Sequence, residues 1–524
     1  MATEAVAAPP ASPLINPWLI AVSVMFGTFM EVLDTTVVNV SLPHIAGSLS
    51  ASVDEATWAL TSYLVANAII LPMTGWLANF FGRKRLLMAS VTGFTVASAM
   101  CGLATTLPML IFFRIVQGAT GGVLQPLSQA VLLEAFPPRE RGKAMGFWGL
   151  GIVVAPMLGP VLGGWLTDNY SWRWVFYINI PVGVICLIMT KLFIFDPPHI
   201  RRGSSRVDYW GIGMLAVGIG ALQIVLDKGQ EEGWFDSGFI RYLAVICVVT
   251  LIALLVRELT IAHPIVNLHV LKVRTYAAGV FLMTMVGFVL YGSLVLLPIF
   301  LQTLLGYPAL QAGIAMAPRG LGSFIAMPIV GAVLIRFDAR KMLSLGIIGA
   351  SFTLLQLSWL NLDAGYWQIF WPQLLQGISL SLLFVPLTTV TMDSITKEQM
   401  GNATSIFNLM RNIGGSMGIA FATTYLERRS QLHINVLSRH VDLYGAQSQQ
   451  MIAGVRGAIM ARGADAATAT QQAHGAIFGM VQRQASMLSF LDTFRAMAVV
   501  FLLPLPLLVI MRRPSHRGGA VATH

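Results

Sequence analysis

Fourteen apolar stretches of about 18–28 residues run through this chain, each long enough to cross the ~30 Å hydrocarbon layer of a bilayer as a helix. They fall near 17–42, 56–80, 86–106, 108–133, 143–166, 174–195, 207–227, 239–257, 275–303, 310–335, 341–361, 367–393, 401–426 and 493–512. A backbone in lipid must satisfy its own N–H and C=O groups, so segments of this length predict an all-α membrane bundle. Composition agrees. Of 524 residues, 56% are hydrophobic and 11% charged, against about 25% charged in soluble domains. So few charges cannot cover a water-facing surface. The net charge of +10 would suggest nucleic acid in a soluble protein, but no basic face with interleaved aromatics is present.

The basic residues instead collect in alternate loops. Arg83, Lys84 and Arg85 follow span 2; Arg139, Arg141 and Lys143 follow span 4; Arg201, Arg202 and Arg206 follow span 6. Lys272 and Arg274 follow span 8, Arg336, Arg340 and Lys341 span 10, Lys397 span 12, and Arg512, Arg513 and Arg517 span 14. Residues 43–55, 304–309 and 362–366 contain no Lys or Arg; Arg173 and Lys228 are mild exceptions to the alternation. The positive-inside rule places the even-numbered turns and both termini in the cytoplasm of a multi-pass inner-membrane protein. The first sixteen residues lack the basic region of a signal peptide, so span 1 is expected to be retained. Cys101, Cys186 and Cys247 lie in apolar runs and read as small core residues, and the histidines show no metal-ligand spacing. No metal or cofactor is expected.

The two ends of the chain repeat one another. Pro72-Met-Thr-Gly75 leading to Gly82-Arg83-Lys84-Arg85 is matched by Pro328-Ile-Val-Gly331 leading to Arg340-Lys341. Gln117-Gly118 with Pro126-Leu127 is matched by Gln376-Gly377 with Pro386-Leu387. The offsets, 256 to 260 residues, relate spans 1–6 to spans 9–14 and leave spans 7–8 as an insertion. Duplicated halves with a substrate path between them are how many secondary transporters are built. The expected organisation is a tail 1–16, a six-helix bundle 17–200, inserted helices 201–260, a second six-helix bundle 270–512 and a tail 513–524. The second bundle includes a long outer loop, 427–492. That loop is Ala- and Gln-rich and predicted to be partly helical. It could dock a periplasmic partner or cap the outer mouth.

Charged side chains inside the bilayer are expensive and mark function by default. Glu31 and Asp34 lie three apart in span 1 and share a face. Arg114 in span 4 falls at about the same depth as Asp34, roughly 9 Å from the midplane, so the two could pair. A carboxylate balanced between burial and a guanidinium can change protonation, and Glu31, nearer the centre, could hold a cation or a second proton. A static salt bridge between spans 1 and 4 is the alternative. Arg319 and Arg411 sit near the midplane of the second half, either lining the cavity or locking helices. The amides Asn39, Gln117, Gln125, Asn408 and Asn412 could contact substrate or join helices. In span 5, Gly151, Pro156, Gly159, Pro160, Gly163 and Gly164 combine close-packing glycines with two bending prolines.

Taken together these segments resemble the drug:H+ antiporter-2 branch of the major facilitator superfamily, the fourteen-helix EmrB/QacA-like multidrug efflux permeases. The resemblance rests on Leu33-Asp34-Thr35-Thr36-Val37-Val38-Asn39-Val40, on Gly75 through Arg85, and on Arg114-Ile-Val-Gln117-Gly118. Gly151 through Gly164, Ser171-Trp172-Arg173-Trp174 through Pro181, and Asn402 to Gly418 complete it. It implies two six-helix bundles plus an inserted pair, proton influx driving export of hydrophobic or cationic drugs by alternating access, and Asp34 and Arg114 as coupling residues. It also implies conformational roles for Gly75, Asn79, Gly82 and Arg83. Asn79 stands where the family usually has an Asp, so the latch that Asp serves is expected to be weaker or built otherwise. Leu226 through Phe235 and the long outer loop resemble the members that work with a periplasmic adaptor and an outer-membrane channel. A transporter for one metabolite is the competing function, with a membrane scaffold or enzyme more remote. Gly414-Gly-Ser416-Met-Gly418 matches a nucleophile elbow in pattern, but lies within a span rather than between a strand and a helix.

Overall fold

The computed structural model describes residues 16–196, 207–261, 264–439, 441 and 445–509. The tail before Asn16, the cluster Arg201, Arg202 and Arg206, and the C-terminal Arg512, Arg513 and Arg517 lie outside the described residues. No strand occurs among those described.

Twelve helical segments are long and apolar enough to cross a membrane. They are α1 (Pro17–Ser48), α2 (Asp54–Phe81), α3 (Arg83–Gly102), α4 (Leu107–Ala135), α5 (Arg141–Asn169), α6 (Trp174–Phe193), α7 (Tyr209–Lys228), α8 (Gly238–Thr260), α9 (Arg274–Leu304), α10 (Leu310–Val333), α12 (Tyr366–Asp393) and α14 (Ala466–Val509). Two further helices complete the predicted fourteen: α11 (Ala339–Leu357) and α13 (Met400–Ser438). Both are less apolar than the rest; α13 buries Asn408, Arg411 and Gly414. The converse is α8, which packs mainly on α7 and buries only Ile240, Cys247, Leu254 and Glu258.

Local chemistry sets the boundaries. Thr106 caps α4 by accepting from the Met109 amide, with Pro108 in the first turn. Asp208 and Asp338 cap α7 and α11 in the same way. Gly82 ends α2 at φ +86°, a conformation that favours glycine. Within α2, a 3-10 turn at Leu71–Met73 accommodates Pro72.

The outer loop differs most from its predicted outline. α13 runs on to Ser438, α14 begins at Ala466, and a short helix, Ala446–Met460, lies between them. Its Ala- and Gln-rich sequence therefore extends the two membrane helices instead of replacing them. Arg429 and His433 of α13 both bond the Asp492 carboxylate of α14, at 2.5 and 2.8 Å. Arg483 donates to the Leu304 carbonyl at 3.2 Å, fixing this hairpin on α9.

Helices α1–α6 pack on one another, as do α9–α14. Glycines permit the closest crossings in both halves. A Cβ on Gly159 would lie 2.5 Å from Thr36 Cβ across α5–α1, and one on Gly418 would lie 2.1 Å from the Phe288 carbonyl across α13–α9. The two halves meet at the end bearing the basic loops. A Cβ on Gly75 of α2 would fall 2.6 Å from the Asn402 amide of α13, and one on Gly331 of α10 would fall 2.6 Å from the Gly142 carbonyl of α5. These are the same crossing repeated by the internal duplication. Ser405 Oγ accepts from the Gly75 amide at 3.0 Å, and Arg141 pairs with Asp393 at 3.6 Å. This end is closed. Helix α7 and the turn after it bridge both halves beside the α2–α13 seam: Asp227 accepts from Thr61, Lys228 donates to Thr57, Gln223 donates to Ser416 at 2.9 Å, and Trp234, in that turn, donates to Thr424 at 3.0 Å.

Candidate functional site

Three buried polar clusters lie in the bundle core. The first joins five helices around Asp34. Its Oδ2 accepts from Arg114 Nη1 at 2.5 Å, and its Oδ1 from Gln117 Nε2 at 2.9 Å and Asn179 Nδ2 at 2.8 Å. Arg114 also donates to Gln117 Oε1 at 2.7 Å and to the Ala59 carbonyl at 3.0 Å, and lies 4.1 Å from the Tyr63 ring centroid. Asn179 reaches Ser98 at 2.9 Å. Asp34 is 1% exposed and Arg114 fully buried. Every partner of the Asp34 carboxylate is therefore a donor, which is the environment of an ionised acid.

The second cluster spans the two halves. Glu31 Oε1 accepts from Asn67 Nδ2 at 2.8 Å. The Gln125 amide also faces Glu31, and Gln125 Oε1 accepts from Arg411 Nη2, so α1, α4 and α13 meet here. One turn nearer the basic end, Asn408 donates to Gln129 Oε1 at 2.6 Å. Four buried atoms of this cluster have no hydrogen-bond partner: Glu31 Oε2, Gln129 Nε2, and Arg411 Nε and Nη1.

The third cluster is internal to the second half. Arg319 donates to Gln373 Oε1 at 3.0 Å and Gln376 Oε1 at 2.7 Å, and Gln376 reaches Ser293 at 3.4 Å. An offset of 259 residues carries Asp34, Arg114 and Gln117 onto Ser293, Gln373 and Gln376. The duplication has preserved the geometry but not the acid, and Arg319 joins α10 to α12 through side-chain amides.

The remaining candidates separate into engaged and unengaged. Arg83 is buried and paired bidentately with Glu134 of α4, one contact at 2.7 Å. Gly163 packs against Val37, whereas Gly164 has no atom within 4 Å of its would-be Cβ. Pro156 and Pro160 lie inside the continuous helix α5. Asn39 and Asn79 are exposed and make no hydrogen bond, so the closed end is latched through Gly75 and Arg141 rather than through Asn79. Asn412 lies 3.5 Å from Arg411. Gly414 and Gly418, in the elbow-like pattern, are helix-packing positions against Thr284 and Phe288.

Asn67, Gln129, Asn179 and Gln373 were not singled out by sequence reasoning. Each is one amide in an apolar run. Asn67 is marked by lying one helical turn from Tyr63, and Gln129 by lying one turn from Gln125. No cluster of His, Cys, Asp or Glu able to hold a metal occurs among the described residues.

Two related six-helix halves, a closed seam at one end and buried charges on facing helices define a multi-pass membrane transporter, not an enzyme. Residues 24–419 match the Major Facilitator Superfamily model, and the chain belongs to that superfamily. It is 37% identical to the multidrug export protein EmrB of Escherichia coli K12 over 96% of both chains. It is 40% identical to EmrB of Haemophilus influenzae over 82% of this chain and 84% of that one, and 36% identical to the fatty acid resistance protein FarB of Neisseria gonorrhoeae over 98% and 99%. Among solved structures, the human organic anion transporter MFSD10 shares the fold, with a TM-score of 0.59 at 14% identity over 96% of this chain and 100% of that one. The chain is thus an EmrB-like permease of the superfamily.

Proposed function

We propose that this permease exports hydrophobic or cationic small molecules across the bacterial inner membrane in exchange for protons, by alternating access. The observation that carries the coupling is the donor-only shell of Asp34. A proton on either carboxyl oxygen would point an O–H at Arg114, Gln117 or Asn179, all of which already donate to it. Proton loading must therefore break one of these contacts, by turning an amide such as Asn179, whose Oδ1 is unpartnered, or by shifting α4 or α6 from α1. Helix α4 also carries Gln125 and Gln129, which contact Arg411 and Asn408 of the other half, so a shift of α4 reaches the inter-half cluster. Glu31 lies one turn from Asp34 and is the candidate substrate carboxylate. The closed seam lies at the cytoplasmic end if the loop charges set the orientation.

The energetics suffice. One proton entering down ~100 mV releases ~2.3 kcal/mol, and one pH unit adds ~1.4 kcal/mol. Together they sustain a gradient of a few hundred-fold. No cofactor beyond the proton is invoked. The outer hairpin between α13 and α14 is the proposed docking face for a periplasmic adaptor leading to an outer-membrane channel. The names of the EmrB relatives support drug export. The test is dye export by wild-type, D34N and E31Q proteins in proteoliposomes under an imposed pH gradient. Loss of gradient-driven export in D34N supports the reading; intact exchange in both variants removes the site, and uptake of a single nutrient replaces the function.

A further inference from the structure

The cluster between the halves is charge-balanced and incomplete. Glu31 and Arg411 are 3% and 1% exposed, yet they form no direct ion pair; Gln125 stands between them. If they served only to neutralise each other, direct contact would be the expected arrangement. Instead each keeps hydrogen-bonding capacity in reserve: one acceptor on Glu31, two donors on Arg411, and a third donor on Gln129. Buried polar atoms are normally satisfied, and here four unmet ones, one acceptor and three donors, fall within one inter-half cluster. Neighbouring amides fix two of the side chains that carry them: Asn67 donates to Glu31 and Asn408 to Gln129.

The arrangement of unmet atoms specifies the ligand. A simple cation would satisfy Glu31 and leave its positive charge beside a guanidinium. A simple anion would satisfy the donors and face a carboxylate. We infer that this inter-half site binds small amphoteric compounds carrying a protonated amine and a carboxylate, the amine to Glu31 and the carboxylate to Arg411 and Gln129. Such a ligand enters with no net charge and meets opposite charges separated by a single amide. Because Glu31 belongs to the first half and Arg411 to the second, the ligand spans both halves. This rests on the export reading above and names the substrate class at its candidate site.

The test uses two fluorescent compounds differing in one group: norfloxacin, a zwitterion with a protonated piperazine amine and a carboxylate, and its ethyl ester, a cation. Binding is read by fluorescence polarisation on the detergent-purified full chain, and export by gradient-driven movement of each compound in proteoliposomes. Wild type is expected to bind the zwitterion more tightly than the ester. Arg411→Gln should weaken zwitterion binding by at least about tenfold more than ester binding, the effect of losing a charge-assisted hydrogen bond. Arg411→Lys should restore part of the difference, and Glu31→Gln should weaken binding of both compounds. Equal weakening of both compounds in Arg411→Gln, or a wild-type preference for the ester, overturns the inference. If Arg411→Gln does not fold, Gln129→Leu provides the same comparison with one donor fewer. Loss of export with the binding preference intact would instead sink the transport reading and leave the site standing.

Discussion

Replacing Asp34 by Asn is the sharpest test of the core electrostatics. Asparagine keeps the size of the side chain but offers one acceptor and one donor where the site requires two acceptors. With its oxygen toward Arg114, its amide group faces the donors of Gln117 and Asn179; flipped, it faces Arg114. Either orientation leaves the fully buried guanidinium without its counter-charge. Breaking a buried pair by removing one partner costs about 3–5 kcal/mol. Replacing both by apolar side chains avoids most of that penalty. The double variant D34L/R114M should therefore retain about 2–3 kcal/mol more stability than the sum of the single changes. Reversible unfolding in mixed micelles measures all four corners of this cycle. A D34N protein within about 0.5 kcal/mol of wild type, with no coupling in the cycle, would show that the donors do not converge on an ionised Asp34. Proton loading at Asp34 would then have no donor shell to break.

Gly75→Val and Gly331→Val should each force apart one copy of the closed seam, since their Cβ atoms would lie 2.6 Å from backbone atoms of the opposite half. Cysteines placed near Gln129 should then become more reactive to thiol reagents applied from the basic end; unchanged labelling in both would contradict a seam held by these crossings. At the start of α7, the hydrogen bond from Arg257 holds the Asp208 carboxyl below its usual range. A lowered carboxyl pKa stabilises the fold above the ordinary Asp value of about 4, and the contribution fades as pH falls through the depressed value. Asp208→Asn should lower stability at pH 7 by no more than about 1 kcal/mol, because the pair is partly exposed, and the gap from wild type should close in acid. A gap constant between pH 7 and pH 3 would argue against the linkage.

What could be read from the sequence follows from the range of each interaction. Span length, loop charge and the internal repeat are properties of the chain itself, and they anticipated fourteen helices in two related halves. The depth argument put Asp34 and Arg114 at one level, and their contact needs only neighbouring helices. Helix ends were harder. The outer part of α14 is polar enough to look like loop, and its helicity depends on the partner contacts of Asp492 and Arg483.

The inter-half cluster was the least legible, for a physical reason. Glu31 and Arg411 are 380 residues apart in the chain, and their relation depends on how two bundles dock rather than on any local pattern. Sequence shows two acids on one face of α1 and assigns one Arg to them. It does not show that the second acid meets an Arg from the other half through Gln125. The duplication helps interpret this after the fact. In the second half, Ser293 and Gln373 stand where the first has Asp34 and Arg114, so one half keeps the intra-bundle acid and the other contributes only fixed positive charge. With Asp34, Glu31 and Arg114 in the core of one half and Arg319 and Arg411 in that of the other, the bundle is electrically asymmetric about its seam. The first bundle brings both buried carboxylates of these clusters, Asp34 and Glu31, and the second brings only guanidiniums, Arg319 and Arg411.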